Sequence, residues 1–462
     1  MININNKSKI NIRDKKITVI GLGISGKAAA ILANHLGAIV FVSDINTTEE
    51  VISNAMELMT FHHIATETGI HSQKIYDTDL WIISPGISTD LKIFKIANKH
   101  SISIVSEIEF ASWYTKSPII GITGSNGKTT TTKILYNMCQ TNKINGVMAG
   151  NIGIPFSECI LEEILKPNKK LLYLLEISSF QLESISSFSP LIAIYTNISE
   201  DHLDRHNSMK KYINMKMRLI ENFKENNTIV FNEDDKILKS TFSNTPFNKI
   251  PFSIKSFNGP FCVNNGKLCD TSSKEVLINI KDLILPGKHN LYNFLAAATC
   301  AKLYGIANKD IKKVLETFKG VPHRLEYIST IKDVDYINDS KATNISSVIV
   351  AIKTYTRPLI LILGGYNKGA DFRLLLPHIK SNSLKAIVTY GEAGGQIETA
   401  IGDAVRSIKQ FDLSSAVRQA HSIAQPGDIV LLSPGCASFD QFSNFEDRGN
   451  FFKSIVKGLS LK

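Results

Sequence analysis

The chain has 462 residues, 43% hydrophobic and 20% charged, an ordinary globular composition too long for one core; at roughly 100–200 residues per domain it predicts about three domains. Its net charge of +10 comes from dispersed lysines, with no helix-turn-helix, RNA-recognition or zinc-finger pattern, so nucleic-acid binding is set aside in favour of anionic small molecules. Six cysteines without C-x-x-C spacing exclude a disulfide framework and a zinc site, while the polar stretch Met1 to Lys16 and the lack of any apolar run near ~18 residues exclude a signal peptide and a membrane span, so a cytoplasmic protein is expected.

In chain order, the first block reads as α/β: strand Lys16 to Ile20, turn Gly21-Leu-Gly-Ile-Ser-Gly26, helix to Leu36, strand Ala38 to Val42, then Asp44. A G-x-G-x-x-G turn lets a pyrophosphate approach a helix N-terminus, and the Asp44 carboxylate can accept hydrogen bonds from nucleotide hydroxyls. Nothing in that geometry requires NAD. Leu80-Trp-Ile-Ile-Ser-Pro-Gly86 ends in a turn beside the same expected site, and the first boundary falls near Ser106.

Gly121-Ile-Thr-Gly-Ser-Asn-Gly-Lys-Thr-Thr130 is the most informative segment. It follows the apolar run Pro118-Ile-Ile and opens a helix expected over Lys128 to Cys139. Backbone N–H groups of Gly124, Ser125, Asn126 and Gly127, the Lys128 ammonium and the Thr129 and Thr130 hydroxyls then converge on one anion. Ile122 stands where G-x-x-x-x-G-K-[ST] has its first glycine, so the usable core is Thr-Gly-x-x-Gly-Lys-Thr. The context favours ATP or GTP over a plain helix-capping turn.

Strands Leu171 to Leu175 and Leu191 to Tyr195 each end in polar residues, where open parallel sheets place ligands. Glu176 is there either a metal ligand or a cap for the next helix through Ser178 and Ser179. His202 sits between Asp201 and Asp204, as a ligand or a structural histidine. Downstream, the stripe Met209, Tyr212/Ile213, Leu219/Ile220, Phe223 puts Lys216 on an inward face. It either pairs there or faces the phosphate site with a pKa lowered by burial, open to covalent modification.

Residues Thr241 to Leu285 read as irregular, with a turn at Asn264-Asn-Gly266 between short β-like runs. A helix is expected over Leu291 to Tyr304, with Asn290 and Asn293 near its start as caps or base contacts. After Lys319-Gly-Val-Pro322, strands near Val334 to Ile337, Pro358 to Leu363, Lys385 to Thr389 and Asp428 to Leu432 alternate with helical stretches. Three polar clusters, Asn338 to Asn344, Gly364 to Asp371 and Ser433 to Ser438, describe one binding face.

By these residues the chain resembles the Mur ligases of peptidoglycan synthesis. The resemblance rests on Gly121 to Thr129, Gly150-Asn-Ile-Gly153, Leu175 to Glu183, Asp201-His-Leu-Asp204, His289-Asn290, Pro322-His-Arg324, Asn338 to Asn344 and Gly364-Gly365. The run Ser433 to Gly449 is the D-glutamate-type signature. Gly435 replaces a more usual alanine, and the loop from Asp204 to Tyr212 is one residue shorter than a familiar form.

The resemblance implies a three-domain α/β fold: a Rossmann-like domain (1–106) for a UDP group, a P-loop ATPase-like domain (107–320) and a Rossmann-like amino-acid domain (321–462). It implies an ATP-dependent amide ligase acting on small molecules, a monomer with no nucleic-acid partner and no membrane insertion. Two Mg²⁺ ions would be held by Thr129, Glu176, His202 and Lys216 as a carbamate. Lys128, His202, Lys216 and Lys341 would be catalytic; Asn290, Asn293, Arg324 and Asp339 would join the phosphate loop in holding ATP. Ser25, Asp44, Gly86, Asn151, Ser178, Gln181, His202 and Lys341 would take UDP-N-acetylmuramoyl-L-alanine, and Thr343, Lys368, Ser438 and Phe445 D-glutamate. Another Mur-type ligase or a folylpolyglutamate ligase shares the central pattern. An NAD-dependent oxidoreductase leaves the phosphate loop, Glu176 and His202 without a role, and a non-catalytic nucleotide-binding regulator does not need the set Lys128, Glu176, His202, Lys216 and Lys341.

Overall fold

The computed structural model describes residues 10–87, 91–140, 144–167, 170–201, 203–285, 287–367, 369–379 and 384–459, and for 203 and 204 the backbone only. The expected sites His202 and Lys368 lie outside the described residues. Two compact units are present: 1–280 with 292–316, and 281–291 with 317–462. No helix among the described residues is long and apolar enough to cross a membrane.

The first unit opens with a five-stranded parallel sheet of order β3-β2-β1-β4-β5, built from β1 (Lys16–Ile20), β2 (Ile39–Asp44), β3 (Ala65–Thr68), β4 (Leu80–Ile83) and β5 (Ser103–Ser106). The run Leu-Trp-Ile-Ile in β4 is buried on both faces, as a strand covered by helices on each side must be. Strand order reverses between β1 and β4, and the turns after these strands flank that switch point.

Helix Glu107–Ser112 joins this sheet to the next. Its Glu109, wholly buried, accepts from the Trp113 indole N–H at 2.7 Å and from the backbone N–H groups of Ser186, Ser187 and Phe188 at 2.7–3.1 Å. One carboxylate thus satisfies a bend of backbone that would otherwise be stranded.

The second sheet runs β11-β10-β9-β6-β8-β7, all parallel: β6 (Ile119–Thr123), β7 (Asn145–Gly150), β8 (Leu171–Glu176), β9 (Ile192–Tyr195), β10 (Thr228–Asn232) and β11 (Asn248–Phe252). β6 lies between β9 and β8, so the segments after all three strands meet at one edge. The helix after β6 spans Lys128–Cys139, as expected. The stretch read as irregular contains a small antiparallel sheet, β12 (Phe261–Asn264), β13 (Lys267–Asp270) and β14 (Val276–Asn279). Asn265 and Gly266 both have positive φ, 46° and 71°, as a two-residue type I′ hairpin needs. A second difference is the helix carrying Lys216, which ends at Met217 and tightens into a 3₁₀ turn over Arg218–Ile220. Arg218 explains the tightening by donating to the carbonyls of Leu182, Glu183 and Ile185 at 2.6–2.8 Å.

The second unit holds a sheet of order β15-β16-β20-β17-β18-β19: β15 (Glu326–Ile331), β16 (Val334–Asn338), β17 (Leu359–Gly364), β18 (Leu384–Tyr390), β19 (Ser407–Lys409) and β20 (Ile429–Gly435). All pairings are parallel except β15 with β16. The central strands β17 and β20 are buried along their whole length.

Candidate active site

The glycine-rich segment after β6 folds into a tight cradle at the N-terminus of helix Lys128–Cys139. Gly124 and Gly127 have φ of 145° and 85°. A Cβ on Gly124 would lie 2.0 Å from Thr196 Oγ1, and one on Gly127 2.3 Å from Asn293 Oδ1, so both glycines are required by space as well as by conformation. Residues 196–199 clamp the loop from outside. Ser125 N–H donates to Asn197 O and Asn126 N–H to Asn197 Oδ1, each at 2.9 Å, and the Thr196 hydroxyl donates to Asn126 O at 2.6 Å. Ser125 Oγ lies 2.9 Å from Ser199 O and 3.0 Å from Tyr212 Oη. With Gly127 as its cap, the helix that follows has no side chain on its first amides, which leaves its positive end for an anion. Lys128 Nζ arches over the loop, donating to Gly124 O at 2.8 Å and Ser125 O at 2.9 Å. Thr129 is buried, and the buried Thr130 Oγ1 has no hydrogen-bond partner.

Against this cradle stand Lys216 and Glu176. Lys216 is 2% exposed, donates to Gly124 O at 3.0 Å and lies 4.6 Å from the Tyr212 ring centroid. Burial drives its pKa well below the usual lysine value, Lys128 adds to the fall, and Asp201 and Glu176 oppose it. Two lysine Nζ atoms therefore share one carbonyl. Glu176 ends β8 and is 2% exposed. Its Oε1 accepts from Asn151 Nδ2 at 2.9 Å, while Oε2 has no hydrogen-bond partner. Capping is not its role, because Ser178 and Gln181 satisfy one another: Gln181 Oε1 accepts from Ser178 N–H and hydroxyl at 3.0 and 3.1 Å. A buried carboxylate oxygen left bare near a low-pKa amine fits a hard divalent cation. Among the described residues no three His, Cys, Asp or Glu side chains converge.

At the first sheet, Gly26 is indispensable, since a Cβ there would come 1.9 Å from Gly21 O. Asp44, 4% exposed, accepts from Leu22 N–H at 2.6 Å and from the Asn46 backbone and side-chain amides at 2.8 and 3.0 Å. Its carboxylate holds the turn together before any ligand arrives, a job the sequence reading did not give it. Ser25 is half-buried in the first turn of the uncapped helix Ile24–His35, and Gly86 is exposed with open space above its Cα.

Asn290 and Asn293 are the third and sixth residues of helix Lys288–Leu303, not its cap. Both are buried, and Asn293 Oδ1 accepts from the Thr131 hydroxyl at 3.4 Å beside Gly127.

In the second unit Asp339 opens the turn after β16, with Leu325 N–H on one oxygen at 3.1 Å and the Ser433 hydroxyl on the other at 2.8 Å. Burial raises its pKa to about 7, against the pull of Arg324. Lys341 Nζ lies 5.2 Å from the centroid of the half-buried Phe445 ring. Ser438 is buried beneath the turn to Phe442, and Thr343 is exposed. Arg448, fully buried, binds Ser340 Oγ and O at 2.9 and 2.7 Å and the Cys436 and Ala437 carbonyls at 3.1 Å. It staples the Lys341 turn to the Ser438 turn. Sequence reading passed over Arg448 as one letter of a longer run, and over Asn197 and Ser199, whose only signal was their place after a strand.

Residues 16–93 match the MurD N-terminal domain, 122–301 the Mur ligase middle domain and 323–436 the Mur ligase glutamate ligase domain. The chain is 39% identical to the UDP-N-acetylmuramoylalanine–D-glutamate ligase of Chloroherpeton thalassium, covering 97% of this chain and 99% of that one. It is also 39% identical to the ligase of the same name from Christiangramia forsetii, over 96% and 100%. Among solved structures, the UDP-N-acetylmuramate–alanine ligase of Thermotoga maritima shares the fold at a TM-score of 0.61 and 18% identity, covering 97% of this chain and 100% of that one.

Proposed function

The chain belongs to the Mur ligase family, is an ATP-dependent ligase joining D-glutamate to UDP-N-acetylmuramoyl-L-alanine for peptidoglycan, and on that footing we propose how its residues divide the work. Direct condensation fails because a carboxylate repels nucleophiles and hydroxide leaves poorly. The alanyl carboxylate therefore attacks the γ-phosphoryl group of ATP, giving an acyl phosphate and ADP. The D-glutamate amine then attacks that carbonyl, and phosphate departs.

Phosphoryl transfer asks mainly for positioning and charge neutralisation. Asn197 holds the Ser125 and Asn126 amides, so the β- and γ-phosphates go to the remaining loop amides and the uncapped N-terminus of the helix, and Lys128 exchanges its loop carbonyls for them. Asn290, Asn293, Arg324 and Asp339 hold adenosine and phosphate. Thr129, Glu176, His202 and Lys216 as a carbamate would hold two magnesium ions, which when bound spread the negative charge of the transferring group. A low-pKa amine is the form that adds CO₂, so burial of Lys216 supports its modification.

Segment 1–106 takes the uridine diphosphate through Ser25, Asp44 and Gly86, while Asn151, Ser178, Gln181, His202 and Lys341 take the muramoyl peptide. Segment 107–320 takes ATP. In 321–462, Thr343, Lys368, Ser438 and Phe445 receive D-glutamate. All of these groups come from one chain, which supports a monomer, and the nucleotide-linked substrate and ATP support a cytoplasmic setting.

Near-full-length identity to D-glutamate ligases is the observation that carries the reading. ADP formation, followed with each substrate omitted in turn, tests it: turnover should require both the muramoyl peptide and D-glutamate. Equal turnover with ATP alone would leave a phosphatase, not a ligase.

A further inference from the structure

Antiparallel register sets Cys262 on β12 directly opposite Cys269 on β13. Facing residues of such a pair share one side of the sheet, with Cα atoms about 4.5–5.5 Å apart, inside the about 4.4–6.8 Å that a disulfide spans. Both are free thiols, and of the six cysteines Cys269 alone is not buried. The type I′ turn of Asn265 and Gly266 fixes the register, so the two thiols cannot slip apart.

We propose that Cys262 and Cys269 form a reversible dithiol–disulfide site whose oxidant is a small-molecule disulfide. Cys269, as thiolate, attacks one sulfur of the oxidant, forms a mixed disulfide and releases the first small thiol. Cys262 then attacks Cys269 Sγ, the mixed disulfide breaks, and the second small thiol leaves. Two protein hydrogens pass to two small thiols, and the protein is oxidised by two electrons. The order follows from exposure: Cys262 is 5% exposed and burial raises its pKa, so it resolves rather than initiates. Cys139, Cys159, Cys300 and Cys436 are buried, with pKa values raised by burial, and stay out of the exchange.

The bond would lock the strand beside Asp270. That carboxylate binds Lys302 Nζ at 2.8 Å, and Lys302 belongs to the helix whose Asn293 abuts Gly127.

The test treats the native protein with oxidised glutathione, alkylates remaining thiols, digests with trypsin and identifies adducts by mass. One cross-link between peptides 256–267 and 268–274 is expected, reversed by excess reduced glutathione. Cys262→Ser should stop at a glutathione adduct on Cys269, and Cys269→Ser should slow modification of Cys262 roughly tenfold or more. The proposal is overturned if wild type accumulates the Cys269 adduct with Cys262 free, if neither thiol reacts, or if Cys269→Ser is modified at the wild-type rate.

Discussion

Glu176 carries one carboxylate oxygen held by Asn151 and one that is bare, inside a site crowded with lysine charge. Glu176→Gln keeps the shape and the Asn151 contact but not the charge. It should lower kcat roughly 100-fold or more while the melting temperature holds or rises, because a buried unpaired oxygen is replaced by a neutral amide. A large fall in melting temperature with little loss of rate would mark Glu176 as structural. Lys216→Ala should be inactive and partly restored by small carboxylic acids, which put an oxygen back where the carbamate stood. No rescue at any acid concentration would remove the carbamate from the mechanism. Glu176 was legible as the last residue of a buried strand, and Lys216 as a lysine on an apolar stripe. The contacts that bear on the Glu176 reading were not: Asn151 is distant in sequence, and the Ser178–Gln181 pairing is a matter of rotamers. Gly435, flagged only as unusual, sits at φ 67° with Val348 and Leu363 3.1 and 3.4 Å from where a Cβ would be. The departure thus suits the backbone of this chain.

Helix Glu107–Ser112 carries a buried carboxylate with no part in the chemistry. Burial raises the Glu107 pKa to about 7 from 4.5, against hydrogen bonds from Ser157 that lower it. The folded state keeps a proton that the unfolded chain surrenders, so this contribution is full below about 4.5 and is lost as pH rises to about 7. Glu107→Gln should flatten that fall, worth roughly 3 kcal/mol, in denaturant titrations at several pH values. A slope identical to wild type would place the titrating group elsewhere. In the second unit, Arg448→Lys leaves carbonyls of Ser340, Cys436 and Ala437 without the fork that bridges them. It should cost on the order of 2–4 kcal/mol and raise KM for D-glutamate more than KM for ATP. Equal change in both constants would make the staple a matter of stability alone. Elements with continuous buried runs, such as β4, β6 and β17, were readable from hydrophobicity. β15 and β19 were missed because one has mixed burial at a sheet edge and the other only three residues. The hairpin of β12 and β13 was legible only as short β-like runs about the Asn-Asn-Gly turn, because strands of four residues carry little pattern.

Across the whole molecule, alternation of apolar strands and helices foretold parallel α/β sheets, and glycine turns located the carboxyl ends of β1 and β6. The glycine-rich loop follows β6 and Glu176 ends β8, and the sheet order sets these strands side by side. The turns of the second unit are the least legible layer, since they are fixed by the buried Arg448 and Asp339 rather than by local pattern. Phosphate release from ATP, measured with UDP-N-acetylmuramoyl-L-alanine and one of D-glutamate, L-glutamate, L-lysine or meso-diaminopimelate, tests the central claim most directly. Release with D-glutamate alone is the predicted result. Release with a different amino acid, and none with D-glutamate, would contradict it.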